Sequence, residues 1–353
     1  MGLVLPASQV GGTMRVLVTG GAGYIGSVLI RILLERGYRV RCLDRFFFGF
    51  DSIRDIEDDV NLEVVKGDVR FVDGSVMDGV DAVLDLAALS NDPSGELNPE
   101  KTMDINYRGR VRVAQLAKKH GVERYVLASS CSVYGFQDVV LREDSEVNPL
   151  TAYAKANWLA ERDTLPLSGG SFTVTALRQA TVYGFSYRMR FDLAINGMVL
   201  GFFKNGRIPI LRDGTQWRPF IHIKDTSMAF VMVLEAEREL VDGQVFNVGS
   251  NDQNYQIFKL AETVADAIGL PFEYEWYGSP DRRSYRVCFD KISNVLGFKP
   301  RYDVRHGARE VYDALKEGRL NPDDPRTITV KWYKHLLEMH DFIKKIELNG
   351  VLL

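Results

Sequence analysis

Short apolar runs alternate with amphipathic stretches through the first half of the chain. Residues 15–19 (RVLVT) read as a continuous β-rich run. Ile25, Val28, Leu29, Ile32 and Leu33 then recur at helical spacing, and Gly37 sits where a helix-closing glycine belongs. Residues 39–44 (RVRCLD) give the next strand, with further strands expected at 62–66, 81–86, 124–129 and 172–177. Helical patterns lie between several of them, notably at 103–120 and 153–164. Strands alternating with helices form a parallel sheet covered on both faces, and such buried strands read as near-continuous apolar runs.

After about residue 185 the pattern loosens. A segment rich in Arg, Phe and Gly runs to Ile223, and a helix at 225–236 with a strand at 244–248 reads as a return to the sheet. The remainder to about 320 is mixed, and residues 328–346 read as a final helix. No repeat, low-complexity tract or linker divides the chain, so a second domain is expected to be built from interleaved insertions.

Composition narrows the class. A length of 353 residues suits about two domains. Hydrophobic residues at 46% and charged residues at 26% exclude a disordered, collagenous or coiled-coil chain. Lys+Arg 44 against Asp+Glu 47 leaves −3, so no basic field points to nucleic acid. Cys42, Cys131 and Cys288 lie far apart; they form neither a disulfide framework nor a zinc pair, and a cytoplasmic location is expected. No apolar run approaches the roughly 18 residues of a membrane span. Residues 1–13 lack the basic start and apolar core of a signal peptide and read as a mobile leader or cloning remnant, with the folded part starting near Met14.

The chemistry starts at a glycine-rich turn. Gly20, Gly23 and Gly26 stand between the first strand and the first helix. Glycines at these places permit a tight turn, backbone approach to a pyrophosphate, and close helix–strand packing. The helix N-terminus then offers unpaired N–H groups to the anion. Asp44, at the end of the second strand, is placed to hydrogen-bond the adenosine ribose hydroxyls of NAD. Arg45 follows it and suits the 2′-phosphate of NADP, which Asp44 would repel; NAD is the expected cofactor. Asp68, in Gly67-Asp68-Val69 after the third strand, has two readings: an adenine contact or a solvated loop carboxylate.

With these features the sequence resembles the extended short-chain dehydrogenase/reductase family, specifically the nucleotide-sugar epimerases and dehydratases, over roughly residues 14–310. The resemblance is carried by TGGAGYIG at 19–26, LAAL at 86–89, SSCSVYG at 129–135, YAKAN at 153–157, LRQATVYG at 177–184 and RPFIHIKD at 218–225. It implies a Rossmann-like doubly wound parallel sheet with a smaller mixed α/β substrate-binding domain formed by C-terminal insertions. The NAD-binding domain would span 14–185 plus about 225–250, the nucleotide-sugar domain 186–224 and about 251–320, and a C-terminal helical extension 321–353. The implied cofactor contacts are Gly20, Gly23, Tyr24, Ile25, Gly26, Asp44, Arg45, Asp68, Val69, Leu86, Ala87, Ala88, Ser129, Tyr153 and Asn157.

In such enzymes the sugar C4 hydroxyl is oxidised. A tyrosinate takes its proton while hydride moves to the nicotinamide, and a Ser or Thr hydroxyl bridges the two oxygens. Tyr153 and Ser130 match these positions. The family pattern is Tyr-x-x-x-Lys, with the lysine contacting the nicotinamide ribose; here position 157 is Asn157. Lys155 is two residues after Tyr153, about 200° round a helix, and faces away. The cation that favours phenolate is therefore missing from its usual place. Asn157 keeps only a hydrogen bond to offer the ribose.

Further residues bear on the reaction. Family dehydratases carry an Asp-Glu pair, and the decarboxylases a Glu, where this chain has Cys131 and Ser132. Neither serves as a carboxylate acid/base, so simple oxidation at C4 is favoured: a 4-epimerase, with a 4-dehydrogenase, a 4-ketoreductase or a non-catalytic binding protein as alternatives. The substrate contacts implied are Ser130, Cys131, Ser132, Thr181, Arg190, Asn196, Arg218 and Arg283. Asn196 would donate to a phosphate, and Arg218 with Arg282 and Arg283 would face the diphosphate. Thr181 stands where many relatives have Asn. Trp217 or Phe191 is placed to stack on the base or to pack in the core, and His222 to orient a loop. Cys131 reads as a small packing residue rather than a nucleophile, since no His base lies near it in the sequence. The partners expected are a nucleotide-diphosphate sugar and a second copy in a homodimer, with no nucleic acid and no membrane.

Overall fold

The computed structural model describes residues 14–281 and 283–352, so the expectation for residues 1–13 lies outside the described residues. Seven strands make one sheet: β1 (Arg15–Thr19), β2 (Arg39–Asp44), β3 (Leu62–Lys66), β4 (Ala82–Asp85), β5 (Arg124–Ser130), β6 (Thr173–Gln179) and β7 (Val245–Val248). Their order is β7-β6-β5-β4-β1-β2-β3 and every pairing is parallel. This is the Rossmann-like α/β fold. The order reverses between β1 and β4, and a crevice opens there at the strands' carboxyl ends.

The apolar runs are explained by two buried faces. Along β1, Val16 and Val18 join the larger core, while Leu17 joins a second core with Leu43, Val83, Leu127 and Val174. Alternate side chains point to opposite faces, so a strand covered on both sides is apolar throughout. Helix α1 (Tyr24–Glu35) and a later helix, Ile223–Glu235, pack together over one face. On the other face lie α2 (Arg110–Lys119) and α3 (Ala152–Thr164).

The expected helix at 103–120 is broken. An α-turn at Pro99–Met103 runs into a π-helical stretch, Asp104–Gly109, before α2 begins. The wider turn shifts the register of α2, and Arg110 comes inward. Helices Ala194–Asn205, Ile257–Ile268 and Val304–Lys316 and three small sheets lie over the crevice, built from residues after 180 with one strand, Phe136–Leu141, taken from the first half. The final helix, α4 (Thr329–Ile346), returns to the loop after β2. No helix among the described residues is long and apolar enough to cross a membrane.

A buried ion pair fixes α3 to the sheet. Glu161 of α3 accepts from Arg178 Nε at 3.1 Å and Nη2 at 2.8 Å, and also from the Ser129 hydroxyl. Both members are buried. Removing one leaves the other as an uncompensated charge. Glu161→Ala is expected to lower unfolding free energy by about 3–5 kcal/mol, read by chemical denaturation; a loss under about 1 kcal/mol would show that water reaches Arg178.

Candidate active site

The glycine turn opens α1 with no side-chain cap, so the first amides of the helix stand free. A Cβ on Gly26 would lie 2.3 Å from the Gly20 carbonyl oxygen. Gly20 has φ +67° and sits against the backbone of Leu86 and Ala87. Thr19 holds that neighbour in place: its hydroxyl accepts from the Leu86 and Ala87 amides, both at 3.1 Å, and donates to Asp85 at 2.5 Å. The result is a bare backbone cradle for a diphosphate at a helix N-terminus. Asp44 completes it. Burial pushes its carboxyl up, opposed by amides of Phe46 at 2.7 Å and Ala22 at 3.1 Å. These residues fit a dinucleotide.

Arg45 and Asp68 are joined to each other. Arg45 pairs with Asp68 at 2.7 Å and lies over the Phe47 ring. Arg70 holds the same carboxylate at 2.7 Å. Asp68 is thus an ion-paired carboxylate in the cavity wall rather than a solvated loop charge, with Arg45 as one of its partners. Both still line the cavity, as does Val69.

One cavity of about 830 Å³ runs from this cradle past Ala88, Ser129, Ser130 and Tyr153 towards Arg218 and Arg283. Tyr153 stands on the first turn of α3, whose Thr151 side chain caps the helix by accepting from the Ala154 amide at 3.1 Å. Burial pushes the Tyr153 phenol above its usual value and Asp92 adds to this; Ser130, Arg110 and Arg190 pull it down. Lys155 is exposed, as its angle round the helix requires. Asn157 lines the cavity but is almost wholly buried, its Nδ2 donating to the Tyr153 carbonyl at 3.0 Å.

Two expected substrate contacts do not reach the cavity. Cys131 is buried, its thiol 3.2 Å from the Arg178 carbonyl, and burial pushes the thiol up. Asn196 is fully buried, accepting from the Gly184 amide and donating to the Tyr24 hydroxyl and the Arg190 carbonyl. Both are taken by protein groups before any ligand arrives. Tyr24 likewise turns its hydroxyl inward, to the Gly184 carbonyl at 2.7 Å. His222 is buried with Nε2 2.9 Å from Glu310. Phe191 borders the cavity, whereas Trp217 lies under Arg286.

The basic residues do converge. Arg218 Nη2 and Arg283 Nη2 both donate to Asp281, at 2.8 and 2.6 Å. Arg283 also meets Asp92. Arg190 is paired with Asp192 at 2.9 Å. Thr181 and Ser132 line the same region, and the buried Ser132 hydroxyl has no protein partner. Arg282 lies outside the described residues.

Several lining groups escape a sequence reading. Phe47, Phe48, Arg188, Lys331 and Tyr333 close the adenosine side. Trp332 Nε1 donates to the Phe47 carbonyl at 2.6 Å and Arg326 to the Phe48 carbonyl at 3.2 Å, which binds the C-terminal segment to the loop after β2. Arg188 lies 3.5 Å over the Phe48 ring, with its Nε buried and unpaired. Burial brings its guanidinium down to about 10. The only sequence signals were a run of three phenylalanines and an apolar C-terminal helix with no assigned contact.

The profile of the NAD-dependent epimerase/dehydratase family matches residues 16–249, well over half of the chain. The chain belongs to that family. NAD is its cofactor, and the glycine cradle and Asp44 are where this family member would hold it. The UDP-glucose 4-epimerase of Corynebacterium glutamicum is 28% identical over 319 residues, covering 83% of this chain and 93% of that one. UDP-glucuronic acid decarboxylase 1 of Arabidopsis thaliana is 26% identical, covering 88% and 72%. Among solved structures, MoeE5 in complex with UDP-glucuronic acid and NAD superposes with a TM-score of 0.77 at 28% identity, covering 86% of this chain and 99% of that one.

Two outcomes test the cofactor site. Asp44→Ala is expected to weaken NAD binding by roughly ten- to a hundredfold, the worth of hydrogen bonds to a charged acceptor, measured by titration calorimetry. Arg188→Gln is expected to weaken it by about tenfold and to flatten its salt dependence. Unchanged affinity would show that Arg188 only packs against Phe48.

Proposed function

We propose that this enzyme modifies a nucleotide-diphosphate sugar by oxidation at C4, acting as a 4-epimerase. One observation carries the reading: Tyr153 and Ser130 line the same continuous cavity as the dinucleotide cradle and the paired Arg218 and Arg283. The cradle sets one reactant at one end and two guanidiniums suit a diphosphate at the other. The sugar then falls against the phenol. Bound NAD supplies a reversible hydride acceptor. Tyr153 takes the C4 hydroxyl proton at its Oη, Ser130 bridges the two oxygens, and the proton returns when the ketone is reduced from the opposite face. Cys131 and Ser132 supply no carboxylate for elimination or decarboxylation. Epimerase and decarboxylase relatives both fit the family, and this difference favours the first.

A homodimer and a reducing compartment complete the reading, the latter supported by three buried cysteines without disulfides.

The test is NMR of UDP-, GDP-, CDP- and dTDP-sugars incubated with the NAD-loaded protein. A C4 epimer without net NADH is expected; NADH formed in step with product would make the enzyme a 4-dehydrogenase. Tyr153→Phe should cut turnover by roughly 10²–10⁴ while NAD stays bound. Because burial holds the phenol above its usual value, tyrosinate is the minor form at neutral pH. Turnover should therefore rise with pH, by about tenfold per pH unit, until the phenol titrates. A flat profile between pH 7 and 9 would rule out Tyr153 as the proton acceptor.

A further inference from the structure

Arg110 is the largest fully buried side chain among the described residues, at 0% exposure. It is the first residue of α2 and is brought inward by the π-helical stretch before it. Its Nη2 donates to the carbonyls of Asp85 at 2.8 Å and Ala128 at 2.7 Å. Its Nη1 donates to Asn157 Oδ1 at 3.0 Å. The nearest carboxylate is Asp85, 3.4 Å from Nε, and that carboxylate is already engaged by the hydroxyls of Thr19 and Tyr125. The short contacts of this cation are therefore neutral dipoles. Its Nη1 side faces the helix that carries Tyr153.

Asn157 occupies the place of the lysine in the Tyr-x-x-x-Lys pattern. It is clamped between two partners: Oδ1 takes Arg110 and Nδ2 gives to the Tyr153 carbonyl. A neutral amide thus bridges a buried cation on one helix and the catalytic turn of the next. We infer that Arg110 replaces the missing lysine, acting through Asn157 as a positioning residue that puts positive charge behind Tyr153 and fixes its turn. This rests on the reading of Tyr153 as proton acceptor.

The surroundings are consistent with a role for that charge. Facing Tyr153 are Asp92 from the short helical turn Asp92–Gly95, itself held by Thr151 and Arg283, and Arg190, itself paired with Asp192. Asp85 stands behind Arg110 on β4. Asp92 disfavours the phenolate; Ser130, Arg110 and Arg190 favour it. Arg190 has its own carboxylate in close contact. Arg110 has one only at 3.4 Å, and its bond to Asn157 leads to the tyrosine's helix.

The experiment is an alkaline ultraviolet titration of the full chain, with and without NAD, taking the tyrosinate band that Tyr153→Phe removes. Arg110→Gln is expected to move that ionisation up by roughly one pH unit. Arg110→Lys should leave it within a few tenths, and adding Asn157→Lys to Arg110→Gln should bring it back. An unmoved band in folded Arg110→Gln overturns the proposal, as does a band that moves equally in Arg110→Lys. Should Arg110→Gln not fold, Arg110→Met/Asn157→Leu removes the cation together with its side-chain acceptor and leaves the Asp85 carboxylate with Thr19 and Tyr125; a band unmoved there overturns it as well. The titration needs no sugar. A band that follows Arg110 in a protein turning over no nucleotide sugar would sink the epimerase reading and leave this one standing.

Discussion

A guanidinium without water must find its acceptors within the protein, and in this molecule that requirement ties the catalytic wall together. Arg110 joins the carbonyl at the end of β4, the carbonyl of Ala128 on β5, and the amide on α3. Ala128 and Asn157 line the cavity themselves, and Asp85 directly precedes the lining residues Leu86 and Ala87. Behind it, Asp85 binds Thr19, and Thr19 holds the Leu86 and Ala87 amides against Gly20. The cofactor cradle and the tyrosine helix thus share one buried polar network. Such networks are rigid when every member is satisfied and costly when one is missing. Glu161 and Arg178 form a second tie at the other end of α3, so the helix bearing Tyr153 is held at two depths.

Local signals made much of this legible in the sequence. The glycine turn could be read because its causes lie within eight residues: a tight turn, a close approach and a helix start. The strands could be read because burial on both faces leaves their side chains apolar. Lys155 could be turned away from the tyrosine, since two residues on a helix always face apart. What could not be read is what depends on distance along the chain. Arg110 looks like one of several cations on an amphipathic helix, and only the π-helical stretch turns it inward. Phe48 and Tyr333 meet across nearly the whole chain length. Asn196 and Cys131 failed as ligand contacts because position in a motif does not show whether a side chain has already found a protein partner.

The same limit shapes the charge picture. The near-zero net charge concealed arginines around the cavity, as expected. It also concealed the acids that answer them: Asp281 between Arg218 and Arg283, Asp192 on Arg190, Asp68 between Arg45 and Arg70. A diphosphate entering this site exchanges for a carboxylate already in place rather than meeting bare cations. Exchange of one anion for another yields less affinity than capture by unpaired arginines, since the arginines were never left desolvated and alone. It favours a ligand that can satisfy both guanidiniums at once, which a diphosphate does and a single phosphate does less well.

Moving the cation from α3 to α2 changes what the catalytic turn can do. A lysine at position 157 would bring its charge on a flexible stem and spend part of its hydrogen bonding on the ribose. Asn157 has no charge, a short stem and both ends of its amide already in use. The charge then sits in a planar guanidinium held by carbonyls, which cannot follow the substrate or the ribose as they move. Its field at Tyr153 is weaker than that of a nearer ammonium, because Coulomb energy falls with distance. A phenol raised by burial and offset by such a distant, fixed charge gains less acidity than one with an adjacent lysine, so its rate should lean on pH over a wider range. The departure at position 157 is therefore better described as a relocated charge than as a lost one.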